Sequence, residues 1–295
     1  MNRGLLPRVV AILLLACLLG AAGLWFSARQ AALNPGQANA LQQIDVPQGA
    51  SMRSVLRTLE KQGLIVNARR LEWYLRCCQR STTFARASIK AGRYRIVPGQ
   101  PPLEILRQMI EGRVVLEHVT IVEGWTFAQM RAQLAKQKDL VQTIGDRSDA
   151  QLMAELGAPD LFAEGRFAPE TYSYAPASTT DMQILRMAFE AQKRNLQEAW
   201  DARQKDLPFN TPDEALALAS IVEKETGLAS ERRRVAGVYI NRLRIGMRLQ
   251  SDPTVIYGIR EHYDGNIRKR DLITDTPYNT YTRAGLPPTP IALPG

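Results

Sequence analysis

The side chain best placed for acid–base chemistry is a glutamate near the end of a helix whose limits are marked in the sequence. Residues 211–227 read TPDEALALASIVEKETG. Thr211 is a typical N-cap residue, Pro212 suits the first helical position, and Gly227 is typical of a helix stop. The segment therefore predicts one helix that begins at Pro212 and ends just before Gly227.

Glu225 falls on the apolar side of this predicted helix. It follows Leu218 by seven residues, Ile221 by four and Val222 by three, so these side chains share one face, whereas Glu223 lies on another. A carboxyl among aliphatic side chains loses its water, which raises its pKa and lets it keep a proton near neutral pH. Such a group can act as a general acid. The competing interpretation is a carboxylate at a helix end that pairs with an arginine.

Polar and aromatic residues in three irregular segments are candidates for holding a sugar. Residues 164–174 combine a glycine, a proline and three aromatic residues, which predicts a loop and a groove wall. Residues 247–258 and 278–291 contain amides, hydroxyls and aromatic faces. Surface loops have the same composition, so an ordinary packed loop is the alternative for each segment. The candidate substrate-binding residues are Tyr172, Glu223, Gln250, Asp252, Tyr257 and Asn279.

Composition and motifs argue against several classes of enzyme. The 295 residues include two histidines, His118 and His262, which are too few for a multi-histidine metal site. The sequence contains no P-loop, no G-x-G-x-x-G, no H-E-x-x-H and no G-x-S-x-G. We therefore expect no metal ion and no cofactor. The formal net charge of +9 favours an anionic partner.

An apolar run near the N-terminus sets the expected location. Residues 9–26 read VVAILLLACLLGAAGLWF without a charge, near the shortest run that crosses a ~30 Å hydrocarbon core as a helix. Arg3 and Arg8 precede this run, which predicts a cytoplasmic N-terminus and the bulk of the chain outside. A cleaved signal peptide and a lipoprotein modified at Cys17 are the alternatives. In each case the folded part is exported, which argues against a nucleic-acid partner.

A strand–turn–helix pattern recurs three times after the apolar run. Short alternating stretches end at Gly49, Gly99 and Gly124, and each is followed by apolar residues at helical spacing. The first two units predict a small α+β module. Its pattern resembles that of LysM-type carbohydrate-binding modules, and a generic support domain is the alternative.

Three motifs closely resemble those of the endolytic murein transglycosylases of the MltG/YceG-like family. They are ASIVEKET at 219–226, NRLRIGMRLQSDPTVIYG at 241–258, and YNTY with GLPPTPI within 278–291. The resemblance covers essentially the whole chain. It implies an inner-membrane protein that cuts within nascent peptidoglycan strands and leaves 1,6-anhydro-N-acetylmuramic ends, with peptidoglycan synthases as candidate partners. It also implies that the second glutamate of E-K-E, Glu225, is the catalytic residue.

The predicted organisation combines these motifs with the composition of each segment. It comprises a cytoplasmic tip and membrane anchor at 1–29, a linker at 30–41, a LysM-like α+β module at 42–115, a helical connecting or groove region at 116–210, and a catalytic domain at 211–295. The predicted fold class is α+β with a single N-terminal transmembrane helix, and the catalytic domain is expected to be mainly helical with irregular loops.

The resemblance has one departure, at the C-terminal end. Family members continue beyond the GLPP loop with strand-rich, aromatic sequence, whereas this sequence stops at Gly295, so one groove wall is expected to be incomplete. A single carboxyl suffices for a transglycosylase, because the C6 hydroxyl of muramic acid replaces water as the nucleophile, whereas a hydrolase normally needs two. The alternatives are a non-catalytic glycan-binding scaffold, an inactive truncated homologue, and a hydrolase that pairs Glu225 with Asp252.

Overall fold

The structure is a computed structural model that describes residues 5–78, 84 and 88–295. It divides into two compact units: unit 1 is Met1–Glu117 with Ala175–Ser178, and unit 2 is His118–Tyr174 with Thr179–Gly295. Arg3, which contributes to the predicted charge bias, lies outside the described residues. Helices and strands are both present, so the mixed composition predicted from the sequence is confirmed.

Unit 1 contains a two-stranded sheet packed with helices. Its elements are α1 (Leu5–Leu33), β1 (Gln42–Val46), α2 (Met52–Lys61), α3 (Ala68–Cys78), β2 (Gly92–Ile96) and α4 (Pro102–Glu111). β1 and β2 are antiparallel, with Ile44 opposite Tyr94. Tyr94 is fully buried, and its hydroxyl donates to the carbonyl oxygen of Lys90 at 2.6 Å. This bond satisfies the polar end of the ring inside the core.

Helix α1 carries the apolar run that was predicted to cross a membrane. Its 29 residues extend over about 43 Å, which exceeds the ~30 Å of a bilayer's hydrocarbon core. By length and composition it is the one helix among the described residues that could span a membrane. A signal sequence shares both properties.

The last turns of α1 pack into the core of unit 1. Ala28 and Ala32, four residues apart on one helix face, are buried there, and Arg70 of α3 donates to the Ser27 hydroxyl at 2.8 Å. Ala38 is buried in the same core. The segment 30–41 was expected to be a linker; its first residues continue α1, and two of its alanines, Ala32 and Ala38, are packed in this core. Alanine side chains are small enough to allow this close approach.

The three strand–turn–helix units predicted from the sequence are confirmed. β1, β2 and the next strand, β3 (Glu117–Thr120), are each followed by a glycine turn and then by α2, α4 and α5 (Phe127–Ala135). The turn glycines Gly49, Gly99 and Gly124 have φ values of 77°, 72° and 76°. Glycine adopts this left-handed backbone without the strain that a side chain would cause. The likeness of the first two units to LysM modules stays a prediction.

Unit 2 contains the remaining helices and the candidate catalytic residue. After β3 and α5 its elements are α6 (Asp149–Glu155), β4 (Thr171–Tyr174), α7 (Asp181–Asp201), α8 (Pro212–Glu225), α9 (Ala229–Arg244), α10 (Asp252–Gly258) and α11 (Lys269–Ile273). The functional division proposed at residue 211 therefore lies within one compact unit.

The segment 164–174 is more ordered than its composition suggested. Its last four residues form β4, which pairs with β3. Tyr172 and Tyr174 alternate with exposed residues along β4 and are buried, so their rings belong to the core. Phe167 is also fully buried and stacks on Phe127 with ring centroids 4.6 Å apart. The predicted loop is therefore part strand, because alternating aromatic residues fit a half-buried strand.

Two phenylalanines in this region allow a matched test of the core. Phe167→Ala is expected to lower the free energy of unfolding by about 3–5 kcal/mol, because it leaves a cavity beside Phe127. Phe162→Ala is expected to change it by less than ~0.5 kcal/mol, because that side chain is 69% exposed. Urea unfolding followed by circular dichroism measures both values, and equal losses for the two variants would contradict this packing.

Candidate active site

Helix α8 has the capped start that its sequence predicted. The Thr211 hydroxyl accepts a hydrogen bond from the Glu214 backbone N–H at 3.3 Å, and Pro212 occupies the first helical position. The helix ends at Glu225, with Thr226 in extended conformation as its C-cap. The stop predicted at Gly227 therefore comes slightly earlier, and Glu225 is the last helical residue.

Glu225 lies beyond the packed part of the apolar stripe. Leu218, Ile221 and Val222 are buried, whereas Glu225 is exposed. Because α8 ends at this residue, no further helical turn covers its carboxyl. The shielding by aliphatic neighbours that the helical wheel predicted for Glu225 is therefore wrong.

Two hydroxyl groups hold one oxygen of the Glu225 carboxyl. Tyr239 of α9 donates to Oε1 at 2.7 Å, and Ser251 donates to the same atom at 2.6 Å. Tyr239 and Ser251 are both buried. Burial and the hydrogen bond to Glu225 raise the pKa of the Tyr239 hydroxyl above its usual range, so it stays a donor. Among the described residues no hydrogen bond reaches Oε2, which leaves that oxygen available to a substrate.

Ser251 is itself fixed by a second set of hydroxyl groups. Its backbone N–H donates to the Thr280 hydroxyl at 3.0 Å, and its carbonyl accepts from the Thr254 hydroxyl at 2.7 Å. Both threonines are buried. The preceding residue, Gln250, has a φ of 53°, which a residue with a side chain rarely adopts. The segment before α10 is thus held in an unusual conformation that points the Ser251 hydroxyl at Glu225.

A second carboxyl lies next to Ser251. Asp252 is exposed, and its Oδ1 accepts a hydrogen bond from the Tyr281 hydroxyl at 2.6 Å. This bond, followed by burial and by repulsion from the nearby Asp252 and Glu225 carboxylates, raises the pKa of Tyr281 to about 12. Two of the predicted substrate-binding residues therefore lie near Glu225. The exposed Gln250 and Asp252 flank Ser251, which donates to the Glu225 carboxyl.

Three other predicted residues are occupied by structural contacts. Tyr172 is buried and its hydroxyl donates to the Ala168 carbonyl at 2.7 Å. Asn279 is fully buried, and its amide nitrogen donates to three backbone carbonyls at the end of α11. The Glu223 side chain is 7% exposed and pairs with Arg232 at 3.4 Å. In the structure Tyr172, Asn279 and Glu223 are thus engaged in contacts within the protein, and their substrate-binding role stays a prediction.

The last predicted residue, Tyr257, bonds to a different glutamate. Its hydroxyl donates to Glu164 Oε2 at 3.0 Å, while Glu164 Oε1 accepts from the Phe127 backbone N–H at 2.9 Å. Burial raises the pKa of Glu164 from 4.5 to about 7, although both hydrogen bonds oppose the shift. Burial also raises the pKa of Tyr257 above its usual range. Glu164 thus has the environment that the sequence predicted for Glu225.

Sequence reasoning missed three residues of the Glu225 contact network. Tyr239 and Tyr281 are distant along the chain and carry no local signal. Ser251 precedes Asp-Pro, which is typical of an N-cap before a helix with proline at its first turn. In the structure Ser251 does occupy the N-cap of α10, but its side chain makes no capping bond because the hydroxyl donates to Glu225. A serine before Asp-Pro predicts a helix cap, whereas the Ser251 hydroxyl here binds the Glu225 carboxyl instead.

The arrangement can deliver and accept a proton at one exposed carboxyl oxygen. The Tyr239 and Ser251 hydroxyl groups hold Oε1, and Oε2 has no hydrogen bond among the residues that the structure describes. Within the described part of the chain, no group of three or more His, Cys, Asp or Glu side chains lies close enough together to hold a metal ion. The hydroxyl donors and the open carboxyl oxygen of Glu225 support proton transfer.

The raised pKa of Glu164 predicts a pH-dependent stability difference. Below pH 4.5 Glu164 is protonated in both the folded and the unfolded chain, and its stabilising contribution is lost as the pH rises through 7. Glu164→Gln keeps the shape without the charge, so its unfolding free energy is expected to exceed the wild type's by up to about 3 kcal/mol at pH 8 and to match it near pH 4. Glu261→Gln, at an exposed site, is the control. A pH-independent difference would contradict the assignment.

Known proteins resemble this chain over most of its length. A family model described as the YceG-like family matches residues 44–295. An endolytic murein transglycosylase of Bacillus subtilis strain 168 is 28% identical over 270 residues, which cover 85% of this chain and 72% of that protein. One from Streptococcus pneumoniae strain D39 is 29% identical over 286 residues, and the match spans 50% of its length. The chain thus spans about half of this streptococcal relative.

A solved structure extends the likeness to the fold. The crystal structure of a yceG-like protein from Listeria monocytogenes superposes with a TM-score of 0.50 at 28% identity, covering 88% of both chains. The family model spans most of this sequence, including residues 44–117 of unit 1, all of unit 2 and every residue around Glu225. The chain belongs to the YceG-like family.

Proposed function

We propose that this chain is a lytic transglycosylase that cuts within peptidoglycan glycan strands, at the bond between N-acetylmuramic acid and N-acetylglucosamine. Relatives named endolytic murein transglycosylase support the reaction class. The observation that carries the proposal is the Glu225 carboxyl, whose Oε1 accepts two hydroxyl donors. Its second oxygen has no hydrogen bond among the residues that the structure describes.

Glu225 serves first as the acid and then as the base. Its Oε2 proton passes to the glycosidic oxygen as the bond from that oxygen to the muramic acid C1 breaks. The muramic acid's own C6 hydroxyl then attacks C1 and gives its proton to the Glu225 carboxylate, which closes the 1,6-anhydro ring. No water is consumed and the carboxyl returns to its starting state. Tyr239 and Ser251 stabilise the intermediate carboxylate through Oε1.

The role of Asp252 is what differs between this reaction and hydrolysis. A glycoside hydrolase normally uses two carboxyl groups, and Asp252 is the second one near Glu225. Its Oδ1 is engaged by the Tyr281 hydroxyl, which supports a positioning role. Hydrolysis would leave reducing ends, whereas the proposed reaction leaves anhydro ends, so the products distinguish the two.

The N-terminal helix supports a membrane location for this activity. We place α1 across the inner membrane, with the N-terminus in the cytoplasm and the chain that follows α1 in the periplasm, because α1 is long and apolar enough to span. This location holds the site near strands as they are made, where internal cleavage ends their elongation. Peptidoglycan synthases are the partners that such a location favours.

Removal of the Glu225 proton donor is the direct test. Glu225→Gln keeps the size of the side chain. It is expected to lower the rate of anhydro-ended product formation by about 10²–10⁴-fold, the usual contribution of general acid–base catalysis. The measurement is mass analysis of purified glycan strands digested with the purified full chain. Glu261→Gln, which makes the same change at an exposed carboxylate, is expected to leave the rate unchanged.

The outcomes separate the candidate functions. Undiminished anhydro product from Glu225→Gln would remove Glu225 from the reaction. Reducing ends in place of anhydro ends would favour a hydrolase. Strands that bind to the wild type and are released uncut would favour a glycan-binding scaffold.

The hydroxyl donors to Oε1 have their own expected effect. Tyr239→Phe and Ser251→Ala each remove one hydrogen bond to a charged oxygen, and we expect kcat to fall about 10–100-fold for each with little change in KM. Tyr172→Phe removes a buried hydroxyl of the same kind that bonds to the Ala168 carbonyl, so it controls for general loss of stability. Steady-state kinetics on glycan strands give both constants. A rise in KM alone for the first two variants would mean that they bind substrate rather than support Glu225.

A further inference from the structure

A cavity beside Glu164 is separate from the hydrogen bonds that hold Glu225. It has a volume of about 510 Å³, and we call it the Glu164 cavity; the lining residues that matter here are Asp160, Phe162, Glu164, Tyr257, Arg260 and Tyr278. This volume lies within the range of sites that bind small organic ligands. All of these residues belong to unit 2.

Aromatic rings form one part of the lining. Phe162 is 69% exposed, so the face of its ring is accessible to a ligand in the cavity. The Tyr257 and Tyr278 rings meet edge to face with centroids 4.7 Å apart, and the Arg260 guanidinium lies 4.6 Å above the Tyr257 ring. Flat rings of this kind pack against the C–H faces of sugar rings.

Carboxyl groups form the other part of the lining. Asp149, Asp160 and Glu164 line the cavity together with Arg260, and Asp149 also pairs with Arg131 at 2.6 Å. The lining thus offers no excess of cations that would favour a phosphate or carboxylate ligand. Carboxyl oxygens accept hydrogen bonds from hydroxyl groups, and sugars offer several of these around each ring. An uncharged, hydroxyl-rich ligand with apolar faces satisfies both parts of the lining.

Helix α10 connects this cavity to the Glu225 site. Ser251 and Asp252, at its start, lie beside Glu225 and Tyr281, whereas Tyr257, near its end, lines the cavity. At ~1.5 Å per residue, Tyr257 is about 7.5 Å farther along the helix axis than Asp252. A ligand held at the cavity and a ligand cut at Glu225 therefore lie close enough to be parts of one extended polymer.

We propose that the Glu164 cavity is a second sugar-binding subsite, which holds another sugar of the strand that Glu225 cuts. The inference rests on the proposed function, because it names where the same substrate makes its second contact. Phe162 stacks on the sugar ring, and Asp160 and Glu164 accept its hydroxyl groups. The subsite favours long strands over short fragments, because a fragment that occupies the Glu225 site alone does not reach it.

The ionisation of Glu164 fits this role. Its pKa of about 7 keeps a large fraction of the group uncharged at neutral pH. An uncharged carboxyl can both donate and accept hydrogen bonds, which suits a neutral hydroxylated ligand better than a fixed charge does. Tyr257 and Phe127 hold the carboxyl in place from two other elements.

The test uses strand binding by chains that cannot cut. In a Glu225→Gln background, the dissociation constant is measured for long glycan strands stripped of stem peptides and for a disaccharide of the same sugars. Adding Phe162→Ala is expected to raise the constant for long strands about tenfold, the value of one aromatic contact, and to leave the disaccharide constant unchanged. Adding Ile245→Ala, which truncates a side chain 76% exposed on another element, is the matched control and is expected to change neither constant.

A second measurement uses the active chain, where Phe162→Ala is expected to raise KM for long strands with kcat unchanged. If Phe162→Ala changes neither the dissociation constant nor the KM for long strands, the subsite is overturned and the proposed reaction remains intact. An effect of Phe162→Ala that appears solely with strands carrying stem peptides would also overturn it, because the cavity would then recognise peptide. No anhydro product and no strand binding by the chain with intact Glu225 would overturn the proposed function and the subsite together.

Discussion

Tyr239 and Ser251 donate to the same oxygen of Glu225, at 2.7 and 2.6 Å, and this shared acceptor determines how three segments of unit 2 meet. Glu225 ends α8, Tyr239 lies in the middle of α9, and Ser251 precedes α10. A buried hydroxyl without a partner costs free energy, so both hydroxyl groups favour the arrangement in which the end of α8 lies between them. The same contacts leave the other carboxyl oxygen open, which is what a reacting strand requires.

The segment that contains Ser251 departs from local rules for the sake of this contact. Gln250 adopts a left-handed φ, and Ser251 occupies a helix N-cap without capping the helix. Both departures cost local stability, and the buried hydrogen bonds of Thr254 and Thr280 offset the cost. Departures that are fixed by surrounding structure are typical of functional sites. Here they point one hydroxyl at one carboxyl.

The sequence predicted those features that depend on residues close together in the chain. Thr211 and Pro212 marked the start of α8, and three glycines marked the strand–turn–helix units, because capping and positive φ are local demands. It did not predict that α8 would end at Glu225. It also did not predict the hydrogen bonds and the ion pair that engage Tyr172, Asn279 and Glu223 within the protein. Those outcomes depend on partners far along the chain, such as Arg232 for Glu223, and neither composition nor helical spacing reports them.

The carboxyl groups of Glu164 and Glu225 lie in different environments. Glu164 is half-buried with its pKa raised to about 7, whereas Glu225 is exposed with two hydrogen bonds to one oxygen. In the proposed reaction the strand itself removes water from Glu225, because a polymer lying across the end of α8 covers Oε2 while the buried Tyr239 and Ser251 keep Oε1 partnered. To cover Oε2, the strand must be held along unit 2 as well as at the bond to be cut. A contact at the Glu164 cavity would therefore raise the rate of cutting by lengthening the time that the strand stays bound. Under this proposal, acid chemistry at Glu225 depends on strand length, and a preference for internal bonds follows from the geometry.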